Sequence, residues 1–357
     1  AAVTPTTKTL TYNSVSNGVY NYTLTLEGVS GTGALTLEVA ANAIQDKATN
    51  ANEAVTINTG VTMDASSFNC TVTASETSPT NATEITYTFT FNKNTNTFAQ
   101  EDITLTNGTI TSFTKVSDSV YTAIISNSGT CIQTVGVAAN SCTDLSGNNV
   151  EAVTPLQISI DRTAPTNSTK GTVASGATGT IYTGETNNYL QFTATDDSAE
   201  GVGQGTIVKY EVSTSSDFTN ATEVNSGDNF NFEATTAGTT YYVRAIDQAG
   251  NVSTATTVTV MKVTLAVSPA TASVENELTT TLTATGVNAG TITWTSSDDT
   301  VATVSSAGVV TAHKVGTVTI TATAGNDSTV TATSTITVTP GVVAIPEAVT
   351  GLIYNGT

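Results

Sequence analysis

Of 357 residues only ten are Lys or Arg and one is His, against 29 Asp or Glu, so the formal net charge is −19. A chain this poor in bases has no footprint for nucleic acid and is repelled by anionic lipid, which also argues against direct membrane insertion. No apolar run approaches the ~18 residues of a membrane-spanning helix, and Ala1 opens no signal peptide. Nucleophilic catalysis by a Ser, His and carboxylate set needs a His base, and His313 is the single candidate, in a segment that reads as strand surface. Three Cys and one His without paired short spacing exclude a zinc site. Paired carboxylates acting on glycosides need a cleft, which thin sandwiches seldom offer. Gly201-Val202-Gly203-Gln204-Gly205 leads into a strand rather than a helix, so it is no phosphate loop. These absences predict a segment that is not an enzyme. One Trp and 6% aromatics predict thin, aliphatic cores.

Thr is abundant: 80 residues, interleaved with Val, Ile and Ala along the whole length. Its β-branched side chain suits a pleated, half-exposed surface. Ile85, Tyr87, Phe89 and Phe91 alternate with Thr86, Thr88 and Thr90, which predicts one apolar and one hydroxyl face. Nowhere do apolar residues recur at helical spacing over eleven or more positions, so helices should be absent or single-turn. The chain also repeats itself. Val39-Ala40-Ala41-Asn42, with Asp46 and Asn50 downstream, returns as Val137-Ala138-Ala139-Asn140 with Asp144 and Asn148. Val19-Tyr20 matches Val120-Tyr121, and Met63-Asp64-Ala65 matches Ile160-Asp161-Arg162. A period of about 100 residues is that of an immunoglobulin-like sandwich. The first copy lacks its front half, so the chain is expected to begin inside a domain.

The fold class expected is all-β, with tandem immunoglobulin-like β-sandwich domains in an elongated array. The boundaries expected are 1–62 for the C-terminal part of one domain, 63–162 for a complete one, 163–262 for a third, 263–339 for a fourth, and 340–357 for a linker and the start of a further repeat. In the third domain, Thr240-Tyr241-Tyr242-Val243-Arg244-Ala245-Ile246-Asp247 resembles the penultimate strand of fibronectin type III-like and bacterial immunoglobulin-like domains. There Tyr241, Val243 and Ala245 should face inward, with Tyr241 placed like a tyrosine-corner residue. In the fourth, Val267-Ser268-Pro269, Ile292-Thr293-Trp294-Thr295-Ser296-Ser297, Gly308-Val309-Val310-Thr311-Ala312 and Gly316-Thr317-Val318-Thr319-Ile320-Thr321-Ala322 resemble, in order, the group 2 bacterial immunoglobulin-like domain. That family occurs in intimin-like and invasin-like adhesins. Trp294 is read as the one large core filler. Gly351-Leu352-Ile353-Tyr354-Asn355-Gly356 resembles the opening of another surface-protein repeat.

Chemistry is suggested at one place. The Asp-x-x-x-Asn turns at Asp46, Asp144 and Asp247 can be read as side chains capping their own backbone. In an immunoglobulin-like sandwich, however, that loop lies at the pole where the chain enters. Asp161, Asp196, Asp197 and Asp247 then converge at the entry to the third domain, and hard oxygen ligands in an acidic chain suit calcium. Asp64 and Asp144 would form a poorer equivalent one domain earlier, with Asn92 and Asn94 in the intervening loop. Calcium is the one cofactor implied. Among the three cysteines, Cys70 and Cys142 are the disulfide expected, because Cys131 lies too far along its strand from Cys142. The first copy replaces the matching positions of Cys131 and Cys142 by Gly33 and Ile44, which points to that pair instead.

The resemblance implies an extracellular protein, at a bacterial cell surface or secreted. It implies a structural stalk or fibre segment that presents a terminal adhesive or functional unit. The alternatives are a self-assembling surface-layer or filament subunit, and an accessory region of a secreted glycan-active enzyme or phage structure. The partners implied are neighbouring domains of a longer chain, a host or cell-surface protein or glycan, or a second copy of the chain.

Overall fold

A computed structural model describes residues 3–171, 179–185, 187–196 and 206–342. It divides into two units, 1–162 with 198–204 and the remainder. Among the described residues there is no α-helix, and the only helical turn is a single 3-10 turn at Gln100–Asp102. The Gly201–Gly205 turn and the segment from Gly351 lie outside the described residues.

In the first unit, β1 (Thr7–Ser16) pairs with β2 (Val19–Glu27), and β3 (Gly33–Val39) pairs with β4 (Val55–Met63), each as an isolated antiparallel hairpin. A complete sandwich follows. One sheet runs β5 (Cys70–Ala74), β6 (Glu84–Phe91), β9 (Val120–Ser126), β8 (Thr109–Lys115), and the other β11 (Leu156–Ile160), β10 (Cys131–Val137), β7 (Ile103–Thr106). The alternation read in β6 is realised. Ile85, Tyr87 and Phe89 are wholly buried and Phe91 nearly so, while the Thr residues between them are half-buried or exposed. Phe91, Phe98, Phe113 and Tyr121 form an aromatic group with ring centroids 4.9 to 6.0 Å apart. Two polar groups enter this core with partners: the Tyr87 hydroxyl donates to Gln133 Oε1 at 2.8 Å, and the Tyr121 hydroxyl to the Thr95 carbonyl at 2.9 Å. Buried hydroxyls and amides paired in this way avoid a desolvation cost of roughly 1–3 kcal/mol each.

The second unit opens with two sheets. One is β12 (Thr166–Gly171), β14 (Asn187–Thr195) and β17 (Phe230–Glu233). The other is β13 (Gly179–Thr183), β19 (Thr256–Lys262), β18 (Thr239–Asp247), β15 (Ile207–Ser213) and β16 (Thr222–Asn225), with β13 parallel to β19. Tyr241, Val243 and Ala245 face inward from β18, as their shared parity requires. The fourth domain continues with β20 (Thr264–Ser268), β21 (Thr271–Glu275), β22 (Thr279–Thr281), β23 (Thr283–Val287), β24 (Thr293–Ser296), β25 (Ala302–Val304), β26 (Val309–Ala312), β27 (Gly316–Thr323) and β28 (Thr331–Thr339). Its main sheet is ordered β21, β28, β27, β24.

Val318, Ile320, Ala322 and Ala324 line one buried face. Trp294 does not fill this core. It is half-buried and packs on the core from its margin, while Leu282, Ile320 and Ile336 occupy the interior. The indole edge lies against Gly308, whose φ of 78° turns the chain and whose missing Cβ leaves room for the Leu282 carbonyl and the ring. Separate apolar cores thus lie within 68–160, 181–260 and 274–338. The third and fourth domains also meet through a small patch of Val263, Ala289 and Ala324, and the Gly184 N–H donates to Asp327 Oδ2 at 2.8 Å.

Candidate functional site

The Asp-x-x-x-Asn turn adopts one geometry in all three places where it occurs. The second carboxylate oxygen of Asp46, Asp144 and Asp247 accepts from the Asn amide four residues on, at 2.9, 2.8 and 2.9 Å. The first accepts from that Asn's backbone N–H at 2.9, 2.9 and 2.8 Å. The backbone closes the loop, with the Asp N–H donating to the Asn carbonyl at 3.0, 3.0 and 3.1 Å. A carboxylate that collects hydrogen bonds to its charged form is held ionised. Accordingly the Asn50 side chain and backbone keep the Asp46 carboxyl below its ordinary range.

At the second copy the turn faces a cation that the chain supplies itself. Lys93, from the loop after β6, extends its ammonium to Asp64 Oδ2 at 3.1 Å and Asp144 Oδ2 at 2.9 Å, and donates to the Ser66 carbonyl at 2.7 Å. Asn148 ties the same place together by donating from Nδ2 to the Asp64 carbonyl at 2.8 Å. Burial pushes the Asp144 carboxyl up, but Asn148 and Lys93 outweigh it and the net direction is down. Asp64 is lowered to about 2, chiefly by Ser66, whose side chain and backbone both donate, and then by Lys93. Asp64 and Asp144 are therefore brought together as the repeat implied, with an ammonium between them. Reading the loop through Asn92 and Asn94 alone passed over Lys93.

In the third domain, Asp247 ends β18 and is 1% exposed, and Asp196 follows directly on β14. Their carboxylates offer oxygens within 4.8 Å of each other. Two oxygens at about 2.4 Å from one calcium ion can be that far apart, so the pair fits a shared hard cation. Counted from the ends of β6 and β14, Lys93 corresponds to Asp197 and Asn92 to Asp196. Where one domain places a base, the next places acids. Asp197 lies outside the described residues. Asp161, the counterpart of Asp64, follows β11 in the first unit and is 2% exposed, its N–H donating to the Thr80 carbonyl at 2.9 Å.

The other candidates resolve simply. Cys70, Cys131 and Cys142 are free thiols, so the expected Cys70 and Cys142 disulfide is not formed, nor is its alternative from Cys131. Cys70 and Cys142 both pack on the core of the second domain, where burial pushes their thiols up to about 12 and about 11. A thiol held neutral behaves as a small apolar side chain. His313 is exposed, with Nε2 2.9 Å from Thr303 Oγ1 and no carboxylate partner. The larger cavities, of about 580 and 530 Å³ along β17, are open grooves without a convergent set of titratable groups.

Among solved structures, the chain is similar to invasin, a bacterial integrin-binding protein, at 13% identity over 92% of this chain and 71% of that one, with a TM-score of 0.38. It is similar to the three N-terminal domains of the bacteriophage RB49 highly immunogenic outer capsid protein, at 10% identity over 77% and 100%, with a TM-score of 0.39. It is also similar to the fibronectin(III)-like modules of Clostridium thermocellum CbhA, at 15% identity over 54% and 95%, with a TM-score of 0.33. No curated protein matches it. No helix among the described residues is long and apolar enough to cross a membrane. The family model of the bacterial Ig-like domain matches residues 64–160, and that of the group 2 bacterial Ig-like domain matches residues 258–334. Both are non-catalytic families typical of surface and secreted proteins, and no catalytic domain is identified. The chain thus carries bacterial Ig-like domains in tandem.

Proposed function

We propose that this chain is a non-catalytic structural segment of a bacterial surface or secreted protein, a stalk that holds a terminal adhesive or functional unit away from its anchor. The observation that carries the reading is the sequence of separate cores, each enclosed by its own sheets. Repeats built in this way act mechanically, because each domain stabilises itself and passes load to its neighbour through its ends. The domains are 63–162, 163–262 and 263–339, preceded by the half-domain 1–62 and followed by a segment from 340. A host or cell-surface protein or a glycan is the partner of the unit presented.

Four strand-bearing segments in line, at about ten to twelve residues of ~3.3 Å per strand, span roughly 140 Å. Small-angle scattering checks this. An extended particle supports the stalk, and a radius of gyration near the ~20 Å of a compact chain of this length overturns it.

Calcium at the entry to the third domain belongs to the same reading. Asp196 and Asp247, with Asp197 adjacent in sequence, offer the acids of such a site, and Asp161 is the repeat's counterpart of Asp64. The support is the second domain's own solution, in which the matching acids share Lys93. Carboxylates gathered in a chain of net charge −19 repel one another, and the hard oxygens offered favour calcium. Calorimetry with calcium chloride tests it: millimolar or tighter binding that Asp196→Asn weakens is the result expected. No heat at millimolar calcium would return these residues to the role of capped turns.

A further inference from the structure

Aromatic residues make up 6% of the chain, and from 64 on every described one is buried or half-buried except Tyr189. Tyr189 is 37% exposed, on the outward face of β14, while Leu190 and Phe192 take the inward positions of that strand. It stands directly opposite Asn231 of β17. The next outward residue of β14, Gln191, donates from Nε2 to Asn229 Oδ1 at 2.9 Å, which sets the planes of both amides. A ring and three amides therefore share one solvent face, with outward positions about 5 Å apart across the strands and about 6.6 Å apart along them.

β17 is the outer strand of its sheet, and the two open grooves of about 580 and 530 Å³ run along it, with Asn231 lining both. Those volumes fall within the ~300–1,000 Å³ of ligand sites. Being open rather than enclosed, the grooves suit a chain that continues past them. Glu223, Asp228 and Glu233 line them and no base does, so an anionic ligand is repelled. An amide offers two donors and an acceptor in one plane, which matches vicinal hydroxyls that both donate and accept. Carboxylates accept from further hydroxyls, and an aromatic face packs on a patch of C–H groups. A peptide strand added to the edge of β17 would instead need apolar pockets at alternate positions, where Asn229, Asn231 and Glu233 stand. From this we infer that the outward face of β14 and β17 binds a neutral polysaccharide of β-linked glucose or xylose residues, an extended ribbon whose equatorial hydroxyls leave C–H groups on the ring faces. Tyr189 carries one sugar ring, and Gln191, Asn229 and Asn231 bond the hydroxyls of that residue and its neighbour. The inference is separate from the stalk reading, because it places a ligand on the segment itself and the scattering result does not bear on it.

The test is affinity electrophoresis of the full chain in gels that hold hydroxyethylcellulose, arabinoxylan or polygalacturonate. Retardation in at least one of the two neutral gels is expected. Tyr189→Ala and Asn231→Ala should each weaken it by roughly tenfold or more in Kd, while Tyr189→Phe, which keeps the ring, should retain it. Both positions are exposed, so the calorimetric transition of the third domain should stay in place in every variant and separate loss of binding from loss of fold. Unchanged migration in both neutral gels overturns the inference. So does equal retardation of Tyr189→Ala, and so does retardation in polygalacturonate as strong as in the neutral gels, since an acid-lined groove is then not the site. A dimer of the unliganded chain that Tyr189→Ala abolishes also overturns it, because a second copy then covers this face.

Discussion

The entry to the second domain and the entry to the third use the same turn and opposite charges. At the second, Asp64 and Asp144 hold the ammonium of Lys93. At the third, the loop that matches the one bearing Lys93 begins with Asp196 and Asp197, and Asp196 and Asp247 offer oxygens within 4.8 Å. The turn itself is a fixed framework, because Asp, Asn and four residues of backbone satisfy one another. What varies is the group laid over it from the loop after the second strand. A lysine makes the arrangement independent of the medium, while on the proposed reading acids make it depend on a dissolved cation. Exchange of one side chain should therefore convert either pole to the other kind.

The largest effect expected is at Lys93. Lys93→Met leaves Asp144, with a side chain 2% exposed, without its cation. Asp144 keeps its bonds to Ser146 and Asn148, so the loss is that of one hydrogen bond to a charged group, about 1.5–3 kcal/mol. For a domain of about 100 residues that lowers the melting temperature by roughly 6 to 24 °C, read as the transition of the second domain in calorimetry. Lys93→Asp goes further and gives the second pole the composition of the third. Calcium should raise the melting temperature of that variant and leave the wild-type second domain unchanged. An equal response of both proteins would break the comparison.

Next in size is removal of calcium from the third pole. At a calcium concentration of 100 times Kd, binding to the folded state alone stabilises by about 2.7 kcal/mol. Chelation should lower the transition of 163–262 accordingly and leave that of 64–162 in place. Asp196→Asn should reproduce the loss. Sodium chloride should not reverse it, because screening reduces repulsion without supplying coordination.

Acid gives a smaller effect that separates the poles from the other side. Asp64 falls to about 2 in the folded protein from an ordinary 3.8, and Asp144 is also lowered. A depressed carboxyl contributes stability that is complete above its unfolded value and is lost as pH falls through its folded one. The contribution of this pair to the second domain should thus fade between pH about 4 and about 2. Melting curves across that interval should converge for wild type and Lys93→Met, since the ammonium has little to hold once both acids are protonated.

How much of this was legible depends on whether the cause is periodic. The alternation of Ile85, Tyr87, Phe89 and Phe91 against Thr is a local pattern with one solution, and the buried face of β6 follows from it. The shared parity of Tyr241, Val243 and Ala245 worked in the same way. Trp294 misled because size was taken for depth. Its strand, β24, is an edge of the main sheet, and an edge residue packs on one side only. The pairing of Asp64 with Asp144 came from comparison of repeats, but the ion pair required knowing where the intervening loop crosses. One base between two Asn residues gives no sign of that. The disulfide expectation joined Cys70 to Cys142, but both are thiols that pack, like Cys131, on the core of the second domain.

The smallest effect lies inside the turn and tests whether the framework is one structure. The third residue after the Asp is Gly147 in the second copy and Gly250 in the third, at φ of 81° and 93°. The first copy has Thr49 there, at φ of 69°. A β-branched residue in the left-handed region crowds its Cβ substituents against the backbone, at a cost of about 1–2 kcal/mol. Glycine avoids that cost but orders more backbone entropy on folding, which returns about 0.5–1 kcal/mol. Thr49→Gly should therefore stabilise the first turn by roughly 0.5 to 1 kcal/mol, a few-fold slowing of exchange at the amides of Ala48 and Asn50, both of which donate to Asp46 Oδ1. The reciprocal Gly147→Thr should destabilise the second domain by a similar amount without altering its response to acid, because Lys93 and both acids stay in place. If Gly147→Thr instead made the second domain respond to calcium, the turn and the charge above it would not be independent. The framework would then have to be described separately at each pole.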